Sequence, residues 1–188
     1  KENRDKIEVY ANLDVIGNHQ ETEKNQVYLE GLGLRPLYTF HFGSPVEILK
    51  EAVKKYDYIA LGGLVPHSKQ RRILENWLDK CFSIIKTDCK VHGFGLTSQW
   101  ALEKYPFYSV DSTSWLASTR YGSNNFFVNG KIKTVGIREN CSIIHNIMCK
   151  EWLSDITHRL DINLKNFVQL RGYITKLWKE KGVDWNNK

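Results

Sequence analysis

Long apolar runs are missing from this sequence of 188 residues, and none approaches the roughly 20 residues that a membrane-spanning helix needs. No secretory signal opens the chain, so we expect a cytoplasmic protein with no membrane partner. Methionine is also scarce. It occurs once, at Met148, and the first residue is Lys1, so we expect a fragment or a processed product.

Cysteine is too scarce for a disulfide framework. The four cysteines are scattered, at Cys81, Cys89, Cys141 and Cys149, and reduced thiols are expected. Cys141, His145 and Cys149 follow one another at helical spacing, but the outer two are about 12 Å apart by helix rise, too far to share one ion easily. The six histidines form no H-x-H or H-E-x-x-H pair. The sequence therefore predicts no metal site.

The composition is that of a folded protein, with 41% hydrophobic and 26% charged residues. The length fits one domain with a substantial core. A net charge of +6 and a pI near 9.1 favour a polyanionic partner, although basic surfaces also occur without one.

Two periodicities alternate along the first 120 residues. Stretches of strand character are separated by stretches with helical spacing of apolar residues, which predicts repeated βα units and a parallel sheet. Either an open doubly wound sheet or a (β/α)₈ barrel fits this rhythm. The predicted strands are 7–17, 35–43, 56–64, 90–96 and 107–112, and the predicted helices are 19–32, 45–55, 68–85 and 99–104.

Two serines are predicted to cap helices. In Ser44-Pro45-Val46-Glu47 a serine precedes a proline suited to the first helical turn, and a glutamate follows three residues after the serine. Ser68 precedes the longest helix of this half, whose apolar residues from Ile73 to Ile85 follow a 3.6-residue period.

The βα pattern does not continue beyond about residue 120. Asn129-Gly130 predicts a hairpin turn, and two amphipathic helices are predicted over 144–156 and 163–179. The last helix is expected to turn a basic face outward and to bury its apolar residues, which are Leu164, Phe167, Val168, Ile174, Leu177 and Trp178. We expect a βα-repeat region over 1–120, with 121–188 forming a hairpin and a helical extension packed on the same domain.

Polar residues and glycines recur where the predicted strands end, at Asp14, His41, Gly62-Gly63, His92 and Asp111. Chemistry gathers at the carboxyl ends of strands in both candidate folds. Asp111 gives the strongest local signal, because it ends an apolar strand and precedes three hydroxyl residues. Taken alone, it also fits a helix cap or an Asx turn.

Three strand ends in order resemble the tRNA-guanine transglycosylase family, including the phage-type enzymes that act on DNA. They are Ala60-Leu61-Gly62-Gly63-Leu64, Val91-His92-Gly93-Phe94-Gly95 and Val110-Asp111. His92 follows Gly62 by 30 residues, and Asp111 follows His92 by 19, in the order and intervals of the family. The resemblance covers about residues 8–120.

The resemblance implies a base pocket. Gly62 and Gly63 match the backbone amides that meet the guanine carbonyl, and His92 falls where the family places a side chain over the base. Asp14 matches the acid that accepts the N1–H and 2-amino donors of guanine. His41 falls where the family usually has a glutamine.

The resemblance also implies the reaction, which is exchange of guanine in tRNA or DNA for a 7-deazaguanine through a covalent bond between Asp111 and the sugar. No organic cofactor is required. The family's zinc-binding cysteines are not found here, and its second catalytic carboxylate lies on an early barrel strand that this chain lacks. We therefore expect a partial TIM barrel, completed by a preceding segment, a second copy or a partner chain.

A nucleic acid substrate requires contacts with phosphates. Arg71 and Arg72 open a helix beyond the Gly62-Gly63 strand end, Arg120 lies just past the catalytic strand, and Lys176 and Lys179 lie on the basic last helix. A non-catalytic nucleic-acid-binding subunit that keeps the base pocket is the alternative hypothesis. An unrelated TIM-barrel hydrolase is a third.

Overall fold

The computed structural model describes residues 6–86, 89–136 and 155–185. The chain divides into two compact units. The first comprises Lys1–Ala101 with Tyr105–Asp111, and the second comprises Leu102–Lys104 with Ser112–Lys188. The division follows Asp111, so every residue assigned above to the base pocket belongs to the first unit.

A four-stranded parallel sheet forms the centre of the first unit, as the βα rhythm predicts. Its strands are short, and the first two are almost entirely buried whereas the last two are only partly buried. They are paired in the order in which they follow one another along the chain. These strands are β1 (Tyr38–His41), β2 (Tyr58–Gly62), β3 (Lys90–Gly93) and β4 (Ser109–Val110).

Helices connect these strands, and their amphipathic faces explain how they pack. Leu49, Leu74 and Leu78 are fully buried on the helices, and the Trp77 ring stacks on the strand residue Phe40 at 5.9 Å. The helices are α1 (His19–Gly31), α2 (Val46–Lys55), α3 (Arg71–Ile84) and α4 (Gln99–Lys104), with a 3₁₀ turn at Val65–His67 before α3.

The alternation of side chains along strands separates two faces of the sheet. Phe40, Ile59, Leu61 and Val91 are almost completely buried and alternate with a more polar set. The register pairs this polar set rung by rung, so its side chains share the second face. That set is Thr39, His41, Ala60, Gly62, His92 and Ser109.

The strand predicted over 7–17 is wrong. Among the described residues this segment makes only one isolated parallel bridge, between Ala11 and Leu37. The next backbone donor toward this segment, the Arg35 N–H, donates to the Tyr10 hydroxyl at 2.7 Å and not to a backbone carbonyl, so the ladder does not extend toward the start of the neighbouring segment. Ile7 and Val9 remain about half exposed.

Both predicted serine caps are also wrong. Helix α2 begins at Val46 and has no side-chain cap, so the Ser44 hydroxyl does not perform this function. Helix α3 begins at Arg71, because the 3₁₀ turn Val65–His67 occupies the preceding residues and moves the helix start beyond Ser68.

The second unit contains the predicted hairpin. Strands β5 (Ser123–Val128) and β6 (Lys131–Gly136) are antiparallel and are joined by Asn129-Gly130. Both turn residues have positive φ, 52° and 75°, as the tight hairpin turn requires. Helix α5 (Ser114–Arg120) precedes the hairpin, and α6 (Ile156–Glu180) follows it.

Helix α6 packs through residues that its apolar pattern does not single out. Leu164 and Val168, predicted to be buried, are about half exposed, whereas Ile162, Asn163 and Leu170 are buried. The helix is turned so that Asn163 faces inward, where its Oδ1 accepts from the Asn125 N–H of β5 and its Nδ2 donates to the Trp115 carbonyl of α5. Most of the helix predicted over 144–156 lies outside the described residues, and Ile156 begins α6 instead.

Within residues 6–86, 89–136 and 155–185 no helix is long and apolar enough to cross a membrane.

Candidate active site

The carboxyl ends of the four parallel strands lie along one edge of the sheet, because parallel neighbours run in the same direction. His41 ends β1, Gly62 ends β2, Gly93 ends β3 and Asp111 follows β4. With strands about 4.8 Å apart, His41 and Asp111 lie roughly 14 Å apart along a flat sheet. A ligand that contacts both must lie across the strand ends.

The Asp111 carboxylate is held by one of its oxygens. Oδ1 accepts a hydrogen bond from the Gly95 amide at 3.1 Å and lies 3.2 Å from His92 Nε2. The Asp111 amide donates to the Gly93 carbonyl at 3.3 Å, which fixes the backbone. Among the described residues nothing donates to Oδ2, and the side chain is 61% exposed. One oxygen is therefore fixed and the other is open.

Gly95 can hold Asp111 only because it is glycine. Its φ is +65°, and a Cβ there would lie 2.3 Å from Cγ2 of Val65. Both constraints exclude a side chain, since a left-handed backbone strains other residues and the space is already filled. The Gly-x-Gly spacing after β3 therefore serves to aim a backbone N–H at the carboxylate.

His92 connects Asp111 with the interior of the sheet. Its Nδ1 lies 2.6 Å from the Ser109 hydroxyl, which in turn lies 2.6 Å from the Tyr58 hydroxyl. Burial lowers the pKa of His92 below its ordinary value, and the Asp111 carboxylate opposes that shift only in part. His92 is thus a mainly neutral imidazole near pH 7.

Sequence reasoning missed Ser109 and Tyr58. The signal that would have found them is the two-residue period of the strands, which places Tyr58, His92 and Ser109 on the polar face with Asp111 two residues beyond Ser109. Using that period to find neighbours requires knowing which residues of adjacent strands are paired, and the sequence does not contain this register.

Asp14 and His41 form a second pair at this edge. His41 Nε2 lies 2.9 Å from Oδ2 of Asp14, with the imidazole 3% exposed and the carboxylate 33% exposed. His41 Nδ1 is buried without a hydrogen-bond partner among the described residues. Because a carboxylate only accepts, His41 Nε2 donates to Asp14.

Gly62 has a packing explanation of its own. A Cβ at this position would lie 2.9 Å from Cγ2 of Thr39 and 3.0 Å from Cδ2 of His41. The glycine therefore lets two side chains of β1 cross β2 on the polar face. Gly63, which follows, has a φ of +71° and leads the chain away from the strand end.

The basic residues predicted to meet phosphates fall into both units. In the first unit, Arg71 and Arg72 are exposed at the start of α3, and the Arg71 guanidinium lies 4.9 Å from the centre of the Trp100 ring. Helices that follow β2 and β3 begin at the edge that carries Asp111, so these residues lie on the same side of the sheet.

In the second unit, Arg120 ends α5, and Lys176 and Lys179 lie on α6. All three side chains are exposed. Lys176 lies 3.9 Å from Glu180 and Lys179 lies 3.5 Å from Asp184, so acidic neighbours reduce the positive charge of this face.

No group of histidine, cysteine or acidic side chains within the described ranges is arranged to hold a metal ion. Cys81 and Cys89 are buried free thiols, and burial raises the pKa of Cys89 to about 11. Both are therefore protonated, unreactive core residues. Cys141, His145 and Cys149 lie outside the described residues.

No protein-family model matches this chain, and no curated protein is significantly similar to it.

Proposed function

We propose that this chain is a base-exchanging transglycosylase, or the catalytic part of one, which replaces guanine in tRNA or DNA by a 7-deazaguanine with Asp111 as nucleophile. The observation that carries the proposal is the Asp111 carboxylate. It lies at the carboxyl edge of a parallel sheet, is fixed through Oδ1 by Gly95 and His92, and exposes Oδ2.

This arrangement suits attack on a sugar anomeric carbon. A bond forms between Asp111 Oδ2 and C1′ as the bond from C1′ to N9 of guanine breaks, and the electron pair of that bond leaves with the guanine. The transition state resembles an oxocarbenium ion, which a nearby carboxylate stabilises. The departing guanine takes up a proton at N9 from solvent, and the incoming base gives its N9 proton to solvent as it displaces the carboxylate, so two inversions give retention.

Base recognition is assigned to the other end of the strand edge. Asp14 accepts the N1–H and 2-amino donors of guanine, and His41 orients that carboxylate through its 2.9 Å bond. The amide of Gly63 meets the base carbonyl and His92 flanks the ring, whereas the Gly62 N–H faces β1 within the sheet. The span from His41 to Asp111, roughly three strand spacings, requires a ligand held at both base and sugar.

We propose further that the sheet is part of a TIM barrel. Its strands are paired in sequential order, without the reversal that a doubly wound sheet contains. Right-handed crossovers in sequential order place the helices on one face and leave the polar face of the sheet as the barrel interior. The remaining strands come from a preceding segment, a second copy or a partner chain.

One observation favours a non-catalytic nucleic-acid-binding subunit as the second candidate. Of the residues that directly follow the four strands, only Asp111 is acidic, and Asp14 is already bound to His41. A separate carboxylate for proton transfer to the leaving base is therefore not found among the described residues. A subunit of this kind binds guanine without exchanging it.

The test is covalent trapping. The protein is incubated with tRNA and, separately, with duplex DNA containing labelled guanine, and stalled adducts are identified on denaturing gels and by mass spectrometry. We expect an adduct and base exchange in the wild type and neither in Asp111→Asn, because an amide does not attack. Asp57→Asn, which makes the same change at the opposite edge, serves as the control.

An adduct formed by Asp111→Asn would remove Asp111 as the nucleophile. If the wild type binds guanine and nucleic acid but neither exchanges base nor forms an adduct, the accessory-subunit candidate replaces the enzyme.

A further inference from the structure

We propose that Tyr58 and Ser109 are positioning residues that hold His92 in the tautomer with its proton on Nε2, and that this proton determines which oxygen of Asp111 attacks. The inference deepens the proposed function and rests on it in one respect, the role of Asp111 as the nucleophile. The tautomer and its hydrogen bonds are properties of the chain itself and are tested separately below.

The direction of each hydrogen bond follows from the chemistry of its acceptor. Asp111 as a carboxylate can only accept, so His92 Nε2 donates to Oδ1 across 3.2 Å. A neutral imidazole carries one proton, so Nδ1 is left as an acceptor, and the Ser109 hydroxyl at 2.6 Å donates to it. The Ser109 oxygen then accepts from the Tyr58 hydroxyl at 2.6 Å.

Tyr58, Ser109, His92 and Asp111 thus form a hydrogen-bonded relay, in which every donor points toward Asp111. Burial lowers the pKa of His92 and raises that of Tyr58, so the ring stays neutral and the phenol keeps its proton. The carboxylate end fixes the order, because a carboxylate only accepts. The single Ser109 hydroxyl proton is then used on His92 Nδ1, so the Tyr58 hydroxyl must be the donor to the Ser109 oxygen.

The strands explain why the four groups stay aligned. His92 is paired with Ser109 on β4 and with Ala60 on β2, and Tyr58 lies two residues before Ala60 on the same face. Each side chain thus stands on a hydrogen-bonded strand or directly after one. Side chains mounted on strands are held more precisely than those mounted on loops.

These hydrogen bonds make the two carboxylate oxygens of Asp111 unequal. Oδ1 accepts from both His92 and Gly95, which withdraws electron density from it and fixes the rotation of the carboxylate. Among the described residues Oδ2 accepts no hydrogen bond, so it keeps the more available lone pairs, and the side chain as a whole is 61% exposed. Oδ2 is then the oxygen that bonds to C1′.

The first measurement needs no substrate. Two-dimensional ¹H–¹⁵N spectra of the wild type distinguish the two histidine tautomers by the ¹⁵N shifts of the ring nitrogens. We expect His92 with a protonated Nε2 and an unprotonated Nδ1 near pH 7.5. A protonated Nδ1 would overturn the relay whether or not the chain is an enzyme.

The second measurement uses variants of the relay. Ser109→Ala and Tyr58→Phe are expected to slow single-turnover adduct formation by about tenfold each, the change that one lost hydrogen bond of roughly 1.4 kcal/mol produces. The KM for the free base should stay within about twofold, because neither residue is assigned to the base. Ser109→Thr, which keeps the hydroxyl, should restore the rate and the tautomer.

Ser83→Ala on α3 and Tyr28→Phe on α1 are the matched controls, since both side chains are exposed and far from the strand ends in sequence. Tyr58→Phe provides the test if Ser109→Ala does not fold. Wild-type rates in Tyr58→Phe, or a Ser109→Thr variant no faster than Ser109→Ala, would overturn the proposal. A correct tautomer in a wild type that forms no adduct would instead count against the transglycosylase function alone.

Discussion

The Asp14 carboxylate binds His41 with one oxygen while a third of its side chain remains exposed. If it also accepts the N1–H and 2-amino donors of guanine, Asp14→Ala should weaken binding of guanine and of 7-deazaguanine by about 1–3 kcal/mol. Hypoxanthine lacks the 2-amino group and should lose less. Isothermal titration calorimetry with the three bases measures the difference.

The bond to His41 calls for a second variant. Asp14→Ala leaves both nitrogens of the buried His41 ring unpartnered and so disturbs β1 for every ligand. Asp14→Asn keeps an oxygen for His41 but presents a donor to the donors of guanine, so it should discriminate against guanine without that disturbance. Equal losses for guanine and hypoxanthine in both variants would show that Asp14 does not contact this edge of the base.

His92 makes stability depend on pH. Burial lowers its pKa in the folded chain, so the unfolded chain, with a pKa of about 6.5, binds the proton first as the pH falls. Stability is therefore expected to fall with pH below about 6.5 and to level off below the folded pKa. His92→Gln removes this contribution, so its urea midpoint should fall less than that of the wild type between about pH 7.5 and pH 5.5. Equal declines would mean that His92 titrates alike in both states.

Single residues also show what the sequence can reveal about the site. Asp111 and His92 could be singled out because a polar residue at the end of an apolar strand is visible in the local sequence. Ser109 and Tyr58 could not, because their role depends on which rungs of three strands are paired. Register is a tertiary property, and short buried strands contain little information about it.

At the scale of elements, α6 is attached to its unit by Asn163. This residue is fully buried, its Oδ1 accepts from the Asn125 amide at 2.7 Å, and its Nδ2 lies 2.6 Å from the Thr119 hydroxyl and 2.8 Å from the Trp115 carbonyl. Asn163→Ala removes these bonds and leaves buried groups unsatisfied. We expect a loss of about 3 kcal/mol in the free energy of unfolding, measured by chemical denaturation.

Leu164→Ala is the matched control on the adjacent residue. Leu164 is about half exposed, so its truncation should change the free energy of unfolding by no more than about 0.5 kcal/mol. If Leu164→Ala costs more than Asn163→Ala, the apolar pattern of the helix and not its buried amide determines how α6 packs.

The boundaries of elements could be predicted where a local signal fixes them. Helix α4 and the turn at Asn129-Gly130 occur where the sequence places them, since spacing and turn chemistry suffice. The segment 7–17 has the composition of a strand but lacks a neighbour that can pair with it beyond Ala11. The prediction that Leu164 and Val168 of α6 are buried was wrong because a pattern of apolar residues assigns every asparagine to the surface, whereas Asn163 is buried.

At the scale of the whole molecule, the charge of +6 predicts a salt dependence of nucleic acid binding. If α6 contacts phosphates, each neutralised phosphate contributes roughly 0.7 to 0.9 to the slope of log affinity against log salt. Replacing both Lys176 and Lys179 with Gln should lower that slope by about one to two and leave free-base binding intact. Fluorescence anisotropy over a salt series measures it.

The ion pairs of these lysines do not oppose the prediction, because exposed pairs contribute little and can be exchanged for phosphate contacts. Lys24→Gln with Lys54→Gln is the matched control, since it removes two paired, exposed lysines from α1 and α2. An unchanged slope in the α6 double variant would assign the phosphate contact to Arg71 and Arg72 at the start of α3.

The alternation of strands and helices predicts the mixed α/β class and the parallel sheet, because both follow from local periodicity. The sequential strand order is not contained in that alternation, since doubly wound sheets show the same rhythm. Whether the sheet closes depends on partners for its edge strands, and the pairing of edges is a property of all the strands together that no single segment specifies.

The amides of α6 have one more consequence. The side chains of Asn163 and Asn166 accept from the backbone N–H groups of Asn125 and Phe127, alternate residues of β5. Those N–H groups would otherwise form a template on which a strand of another molecule could assemble. Helix α6 thus protects the hairpin from aggregation, and a chain ending at Gly136 should form cross-β aggregates that bind thioflavin T at concentrations where the full chain stays dispersed.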